Sequence, residues 1–404
     1  MPSFEFENGK ILNDVKVEYT TFGTPKYDDD GLISNAILYC HGSLGRFSSM
    51  KKILPLIGDN DVFDKNKYFF ISLTALGSSG SCSPSTTDLK NKFPKYTIKD
   101  VSNFQKQFLA EKFNISHVLG VIGVSMGGFV ALSLSIEYPD FADFIICGVS
   151  SYKVAGHDFI LSKFVNEIIE SDPDYNRGEL TYSLNRTLRL ANLAEFNFGL
   201  SKEALRDMSN VELSAEFENF GNESLDIDIY DLKYCNESCM YFDVENDLDK
   251  IKSKVLIVAC KQDPHFPPEL DAIPMSKMIK NSELIVMDSK LGHLCFNELE
   301  TIRDELKSLW VNLMIVEITD FGDENNQKFV EYAILGLSLN QLEFLNDNLE
   351  EQTTIEEGVF KLKMYFSDEL YPFQSDVAKF KLDDFIAREE LEMTLFISSF
   401  LDEM

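Results

Sequence analysis

The stretch LGVIGVSMGGFVALSLSIEYPD, residues 119–140, decides the reading of this chain. A β-branched apolar run meets Gly-Val-Ser-Met-Gly and turns at once into a helical pattern that stops at Pro139. This is G-x-S-x-G in the setting that gives the motif meaning, a buried strand before it and a helix after it. At such a turn Ser125 adopts a strained conformation, and Gly123 and Gly127 make room for it. The turn lifts Oγ above the sheet, and the helix N-terminus supplies positive potential for a developing oxyanion. The alternative is a serine that only shapes a tight turn.

Outward from this point, further apolar runs of strand length recur: 35–40 (NAILYC), 67–73 (KYFFISL), 117–124, 143–149 (DFIICGV), 254–260 (KVLIVAC) and 283–288 (ELIVMD). Each is apolar on both faces, as buried parallel strands are. Helical patterns at 97–114 and 126–138 lie between them, so the chain predicts an α/β fold with a mostly parallel, doubly wound sheet. The opening FEFENGKILNDVKVEYTTFG (4–23) predicts an antiparallel hairpin on the sheet edge. Residues 151–250 break the alternation with helical periodicity and two acidic turns. They predict a helical cap inserted over the strand ends, where α/β ligands bind. The expected domains are a core of 1–150 with 251–310, a cap of 151–250 and a small α+β appendage of 311–404. In the appendage, 359–366 alternates Phe360, Leu362, Met364 and Phe366 like a half-buried strand, and 382–401 reads as a helix. Its role is open between oligomerisation, regulation and structure alone.

The formal charge of −30 argues against nucleic acid and anionic membrane as partners and does not favour capture of an anionic cofactor. About half of it sits in residues 311–404, with 21 acidic against 6 basic side chains. No apolar run reaches the roughly 20 residues of a membrane span, and MPSFEFENGK lacks the regions of a signal peptide. The seven cysteines are scattered; Cys40, Cys147, Cys260 and Cys295 lie in or beside apolar runs. Cys235 and Cys239 have no second ligand pair, so no metal site is expected. Reduced thiols and a cytoplasmic location follow.

A serine needs a base to take its proton. In this architecture the partners follow in the order Ser, acid, His. Of five histidines, His293 in SKLGHLCF lies after the last strand, where the base belongs. Asp263 in KQDPHFPPE follows the preceding strand, where the acid belongs, and it would orient His293 and stabilise its cation. His265 in that loop reads as a supporting or exposed residue. The backbone N–H groups of Met126 and Ser43 are the expected oxyanion donors, Ser43 lying on the loop turned by His41-Gly42. GSLG and GSSGSC do not continue as phosphate loops.

Several motifs in order resemble the homoserine O-acetyltransferases of the α/β-hydrolase superfamily, over roughly residues 4–310. The opening hairpin is similar. The loop with Leu76, Gly77, Gly80, Ser81 and Pro84 resembles the family's LGG…GSTGPSS stretch. FPKYTIKDVSNFQKQFL, GVSMGG (123–128), DPHFPPE and GHLCF stand in the matching places. The resemblance implies an α/β-hydrolase fold and ping-pong acyl transfer. Ser125 would take an acetyl or succinyl group from acyl-CoA, a co-substrate rather than a bound cofactor. It would then pass the group to the hydroxyl of homoserine or a related small amino-acid alcohol, with His293 alternating as base and acid. A homodimer through the cap and a place in methionine biosynthesis are implied in the same way. A serine hydrolase, an esterase or thioesterase with the same triad, is the alternative.

The cap departs from the family pattern. Val165-Asn166 stands where a Gln-Arg pair precedes Asp172-Pro173, and Ser224 stands for the arginine of RFDANSY, with Asp226 and Tyr230 kept. Arginine is the natural fork for a carboxylate. Asp226 and Tyr230 remain candidate substrate contacts, and Arg186 and Arg189 are candidates to replace the missing pair or form a solvated helix face. Arg46, Lys51 and Lys52, after the oxyanion loop, are either contacts for CoA phosphates or ordinary exposed charge.

Overall fold

The apolar runs become strands because only a sheet buries both their faces at once. In the computed structural model, residues 1–335 and 352–366 are described, apart from 29, 60, 179–180, 224–226, 312–314, 325–326 and 357–358. They fall into two units, Met1–Ile302 and Arg303–Met404. The division comes a little before the expected residue 310, so the helix Arg303–Val311 goes with the second unit.

The first unit opens with a two-stranded ribbon, β1 (Ser3–Glu5) and β2 (Ile11–Asn13). The main sheet contains β3 (Tyr19–Phe22), β4 (Ala36–Cys40), β5 (Phe69–Leu73), β6 (Val118–Val124), β7 (Ala142–Gly148), β8 (Lys254–Cys260) and β9 (Ser282–Met287). Its order is β9-β8-β7-β6-β4-β5-β3, parallel except for the antiparallel pairing of β3 with β5. The opening segment therefore does not place its hairpin on the sheet: β1 and β2 pair with each other, and β3 alone takes the edge. The central strands are buried along their length, as predicted for β4 to β8. β9 is the outer strand and leaves Val286 43% exposed, so its apolar run is covered on one side only.

Helices α1 (Ile98–Phe113) and α2 (Met126–Glu137) pack together beside this sheet. Thr97 caps α1 through a capping box with Asp100, and Asn114 ends it in the left-handed conformation. Between β7 and β8 comes the cap, whose longer helices are α3 (Gly156–Glu170), α4 (Tyr182–Leu193), α5 (Asn210–Glu223) and α6 (Ile229–Met240). It has an apolar centre of its own, including Leu161, Val165, Ile169, Leu188 and Tyr230. The C-terminal half of α6 contributes Tyr234, Cys235 and Cys239 to the main core instead. One helix thus belongs to both layers.

In the second unit, strands β10 (Ile315–Glu324), β11 (Gln327–Leu335), β12 (Gln352–Glu356) and β13 (Val359–Phe366) form an antiparallel sheet in the order β10-β11-β13-β12. Leu362 is buried opposite Tyr332, as the alternation in 359–366 predicts. The helix expected over 382–401 lies outside the described residues. No helix among the described residues is long and apolar enough to cross a membrane.

Candidate active site

Ser125 stands between β6 and α2 with φ 56° and ψ −122°, a backbone conformation that side chains rarely adopt. Its surroundings over-determine it. The Ser125 N–H donates to Gly148 O at 2.8 Å, and its carbonyl accepts from Gly128 N at 2.7 Å and Ser150 Oγ at 2.9 Å. The flanking glycines are there for space. A Cβ at Gly123 would lie 2.1 Å from Gly127 O, and one at Gly127 would lie 2.0 Å from Cys40 O.

The two residues expected from the loops after β8 and β9 meet this serine. His293 Nε2 is 2.9 Å from Ser125 Oγ, and His293 Nδ1 is 2.9 Å from Asp263 Oδ2. A carboxylate accepts only, so Nδ1–H donates to Asp263 and Nε2 is left to receive the serine proton. The other carboxylate oxygen of Asp263 accepts from the backbone N–H of His265 at 2.8 Å and of Phe266 at 3.2 Å. Burial would raise this carboxyl, but His293 and the backbone donors outweigh it and hold Asp263 below its ordinary value.

The loop after β4 lies against the nucleophile: a Cβ built on Gly42 would be 3.3 Å from Ser125 Cβ, and Ser43 lines the same cavity. His41 holds this loop in place. Its Nε2 accepts from Ala75 N–H at 2.9 Å, so Nδ1 carries the proton and donates to Gly42 O at 2.7 Å. The ring is neutral and fully enclosed, and burial pushes it down to about 4.

A cavity of about 310 Å³ opens over Ser125. Its wall includes Ser43, Lys52, Phe129 and His293 from the core, and Asp158, Glu195, Cys235 and Asn236 from the cap. His265 is in the wall too, and it is not merely exposed. Its Nδ1 donates to Asp158 Oδ1 at 2.8 Å, and Nε2 lies 3.8 Å from Glu195 Oε2. Burial raises the Glu195 carboxyl; His265 opposes this and Asp158 adds to it.

The candidate substrate residues are not assembled here. Arg186 is exposed on α4, and Arg189 pairs with Glu218 at 2.6 Å; neither is in the cavity wall. Tyr230 is fully buried, stacked on Tyr175 and donating to the Tyr175 carbonyl at 3.2 Å, which is core packing rather than a substrate contact. Asp226 lies outside the described residues. Asn166, at the position of a family arginine, is buried and accepts from Asn236 at 3.0 Å. Arg46 is engaged by Glu18 in a two-point contact at 2.5 and 3.1 Å. All seven cysteines are buried and free, and no cluster of metal-ligating groups occurs among the described residues.

Sequence reasoning passed over Asp231. Its carboxylate accepts from Ser79 Oγ (2.6 Å), Ser83 Oγ (3.2 Å), Ser85 Oγ (2.6 Å) and Ser85 N (2.9 Å). It ties cap helix α6 to the serine-rich loop that the sequence singled out. The signal was there: a loop dense in hydroxyls needs an acceptor, and Asp231 is next to Tyr230.

A profile described as alpha/beta hydrolase fold matches residues 35–297. The chain belongs to the α/β hydrolase fold family. Within it, the chain is 43% identical over 296 residues to a probable acyltransferase of Methanothermobacter thermautotrophicus, covering 73% of this chain and 91% of that protein. It is 29% identical to a homoserine O-acetyltransferase of Methanosalsum zhilinae, over 72% and 67% of the two chains. Among solved structures, an acetylester hydrolase from Corynebacterium glutamicum aligns with a TM-score of 0.67 and 27% identity, covering 76% of this chain and 93% of that one. Residues 315–403 match a family of unknown function, DUF5750, so this α/β hydrolase carries an additional C-terminal segment.

Proposed function

We propose that this α/β hydrolase is an O-acyltransferase that carries the acyl group on Ser125. The observation that carries the reading is the hydrogen-bonded chain Ser125–His293–Asp263 beneath the cap. The similarity to a probable acyltransferase directs it toward transfer.

In the first half-reaction, Ser125 Oγ attacks the thioester carbonyl of acetyl- or succinyl-CoA while His293 Nε2 takes its proton. The new C–O bond places negative charge on the carbonyl oxygen, which the backbone N–H groups of Met126 and Ser43 receive. Collapse breaks the C–S bond, and His293 returns the proton to the departing CoA sulfur. In the second, the hydroxyl of homoserine or a related small amino-acid alcohol gives its proton to His293 and attacks the acyl-serine; the bond from the acyl carbon to Ser125 Oγ breaks, His293 returns the proton to Oγ, and the new ester leaves. Asp263 keeps the imidazole in the required tautomer in both halves. The likeness to an acetylester hydrolase favours a second reading, in which water is the acceptor.

A homodimer through the cap is part of the proposal. Ile160, Phe164, Tyr182 and Val211 are large apolar side chains of cap helices left more than half exposed, and a partner would cover them.

The test follows free CoA released from acetyl-CoA and succinyl-CoA, with and without homoserine or serine. Release that depends on the acceptor supports the transferase. Release that ignores every amino-acid alcohol, together with turnover of simple esters, gives the hydrolase.

A further inference from the structure

Lys52 ends the short helical turn Phe47–Lys52 that follows the oxyanion loop, and its side chain is part of the cavity wall. It is the one lysine or arginine among the described residues that line this cavity. It is half-buried, and burial lowers its ammonium below the usual lysine value; a neighbouring Cys295 thiol opposes this and Lys51 adds to it. No described carboxylate pairs with it. The two acids of the same wall, Asp158 and Glu195, are turned to His265, and the nearby Arg46 is engaged by Glu18.

A partly desolvated cation without a counter-charge is unfavourable unless an anion completes it. Here the surrounding chain works against anions, since it carries a net charge of −30. The cavity, about 310 Å³, is at the small end of the ~300–1,000 Å³ range of ligand sites. That volume accommodates a short acyl group and a small acceptor, so the nucleotide diphosphate of an acyl-CoA would lie outside it. The anion that reaches Lys52 is therefore one carried by a small substrate.

We propose that Lys52 anchors a substrate carboxylate, on the acyl group or on the acceptor, and so selects substrates that carry this carboxylate over those that lack it. The proposal rests on the reading of Ser125 as the nucleophile of this cavity.

Two pairs of substrates test it in wild type, Lys52→Met and Lys52→Arg. The acyl pair is p-nitrophenyl acetate and p-nitrophenyl hemisuccinate, followed by nitrophenol release. The acceptor pair is homoserine and its methyl ester, followed by CoA release from acetyl-CoA. In at least one pair, Lys52→Met is expected to lower the ratio of kcat/KM for the carboxylate-bearing member over the one that lacks the carboxylate by roughly ten- to a hundredfold, mainly through KM. Lys52→Arg keeps most of the ratio. The pair that responds identifies which end of the reaction carries the anion. If neither ratio moves in an active Lys52→Met enzyme, or wild type is indifferent to the carboxylate in both pairs, the proposal is overturned. A fall only in inhibition by free CoA overturns it as well, since phosphate would then be the ligand. Labelling by a fluorophosphonate keeps the two readings apart: if Ser125→Ala labels as wild type does, the nucleophile assignment fails, whatever Lys52 does.

Discussion

The rings of His265 and His293 lie 4.6 Å apart between centroids, yet each answers to a different carboxylate: His265 to Asp158, His293 to Asp263. Only His293 reaches Ser125 Oγ. Removing the proton acceptor differs in kind from removing its neighbour. His293→Ala and Ser125→Ala are each expected to lower kcat on an activated ester by on the order of 10⁴-fold or more. His265→Asn should lose about tenfold or less, because the Ser125–His293–Asp263 chain stays complete. Steady-state kinetics on one ester decides it, and the reverse ranking would exchange the two roles.

His41 gives stability a pH dependence of known sign. Folded, its imidazole is held down at about 4, against 6.5 when exposed, because protonation would put a buried charge where Nε2 must accept from Ala75. Between those values the unfolded chain binds more protons than the folded one, so stability falls as pH drops from about 6.5 toward 4. The full effect is about 3 kcal/mol. Urea denaturation at several pH values should show it, and His41→Gln should flatten the curve by about that amount. An unchanged slope would exclude a neutral His41.

Asp231→Ala removes the acceptor of four hydrogen bonds between α6 and the serine-rich loop, at a carboxylate that is itself buried. Burial is the largest influence on this carboxyl and raises it, with the serine donors pulling the other way. Leaving those donors unmatched should cost about 3 kcal/mol, while Ser79→Ala, which deletes one donor, should cost about 1 kcal/mol. Chemical denaturation checks both values. Equal effects would mean that the bonds are not shared out as described.

Tyr39, on β4, is 1% exposed, and its hydroxyl has no hydrogen-bond partner among the described residues. A buried unpaired hydroxyl is a penalty the fold carries, so Tyr39→Phe should raise stability by about 1 kcal/mol. A destabilised Phe variant would show that the hydroxyl has a partner after all.

What the sequence made legible follows from which physics is local. Strand runs at 35–40 and 254–260 are read directly because a buried parallel strand is apolar at every position. Ser125 was recognisable since strand, glycine turn and helix are consecutive in the chain, and Asp263 and His293 followed from loop order. The hairpin was misplaced because 4–23 alternates like an edge strand whether it pairs with the sheet or with itself. The cap was harder still. Tyr230 looked like a contact and is core, Arg189 looked free and is paired with Glu218, and Asp158, Glu195 and Asp231 gained their meaning only from residues far along the chain. Motif reading carries chemistry well along a strand; across a helix–helix boundary it has nothing periodic to follow.

The double membership of α6 has a mechanical consequence. The same helix that presents Cys235 and Asn236 to the cavity is fastened to the core by Asp231 and by Tyr234, whose single hydroxyl proton is shared between the Asn91 and Phe93 carbonyls, each at 3.0 Å. The wall of the cavity and the packing of the core thus share one beam, so a change that loosens α6 from the core should be felt in the cavity as well as in stability.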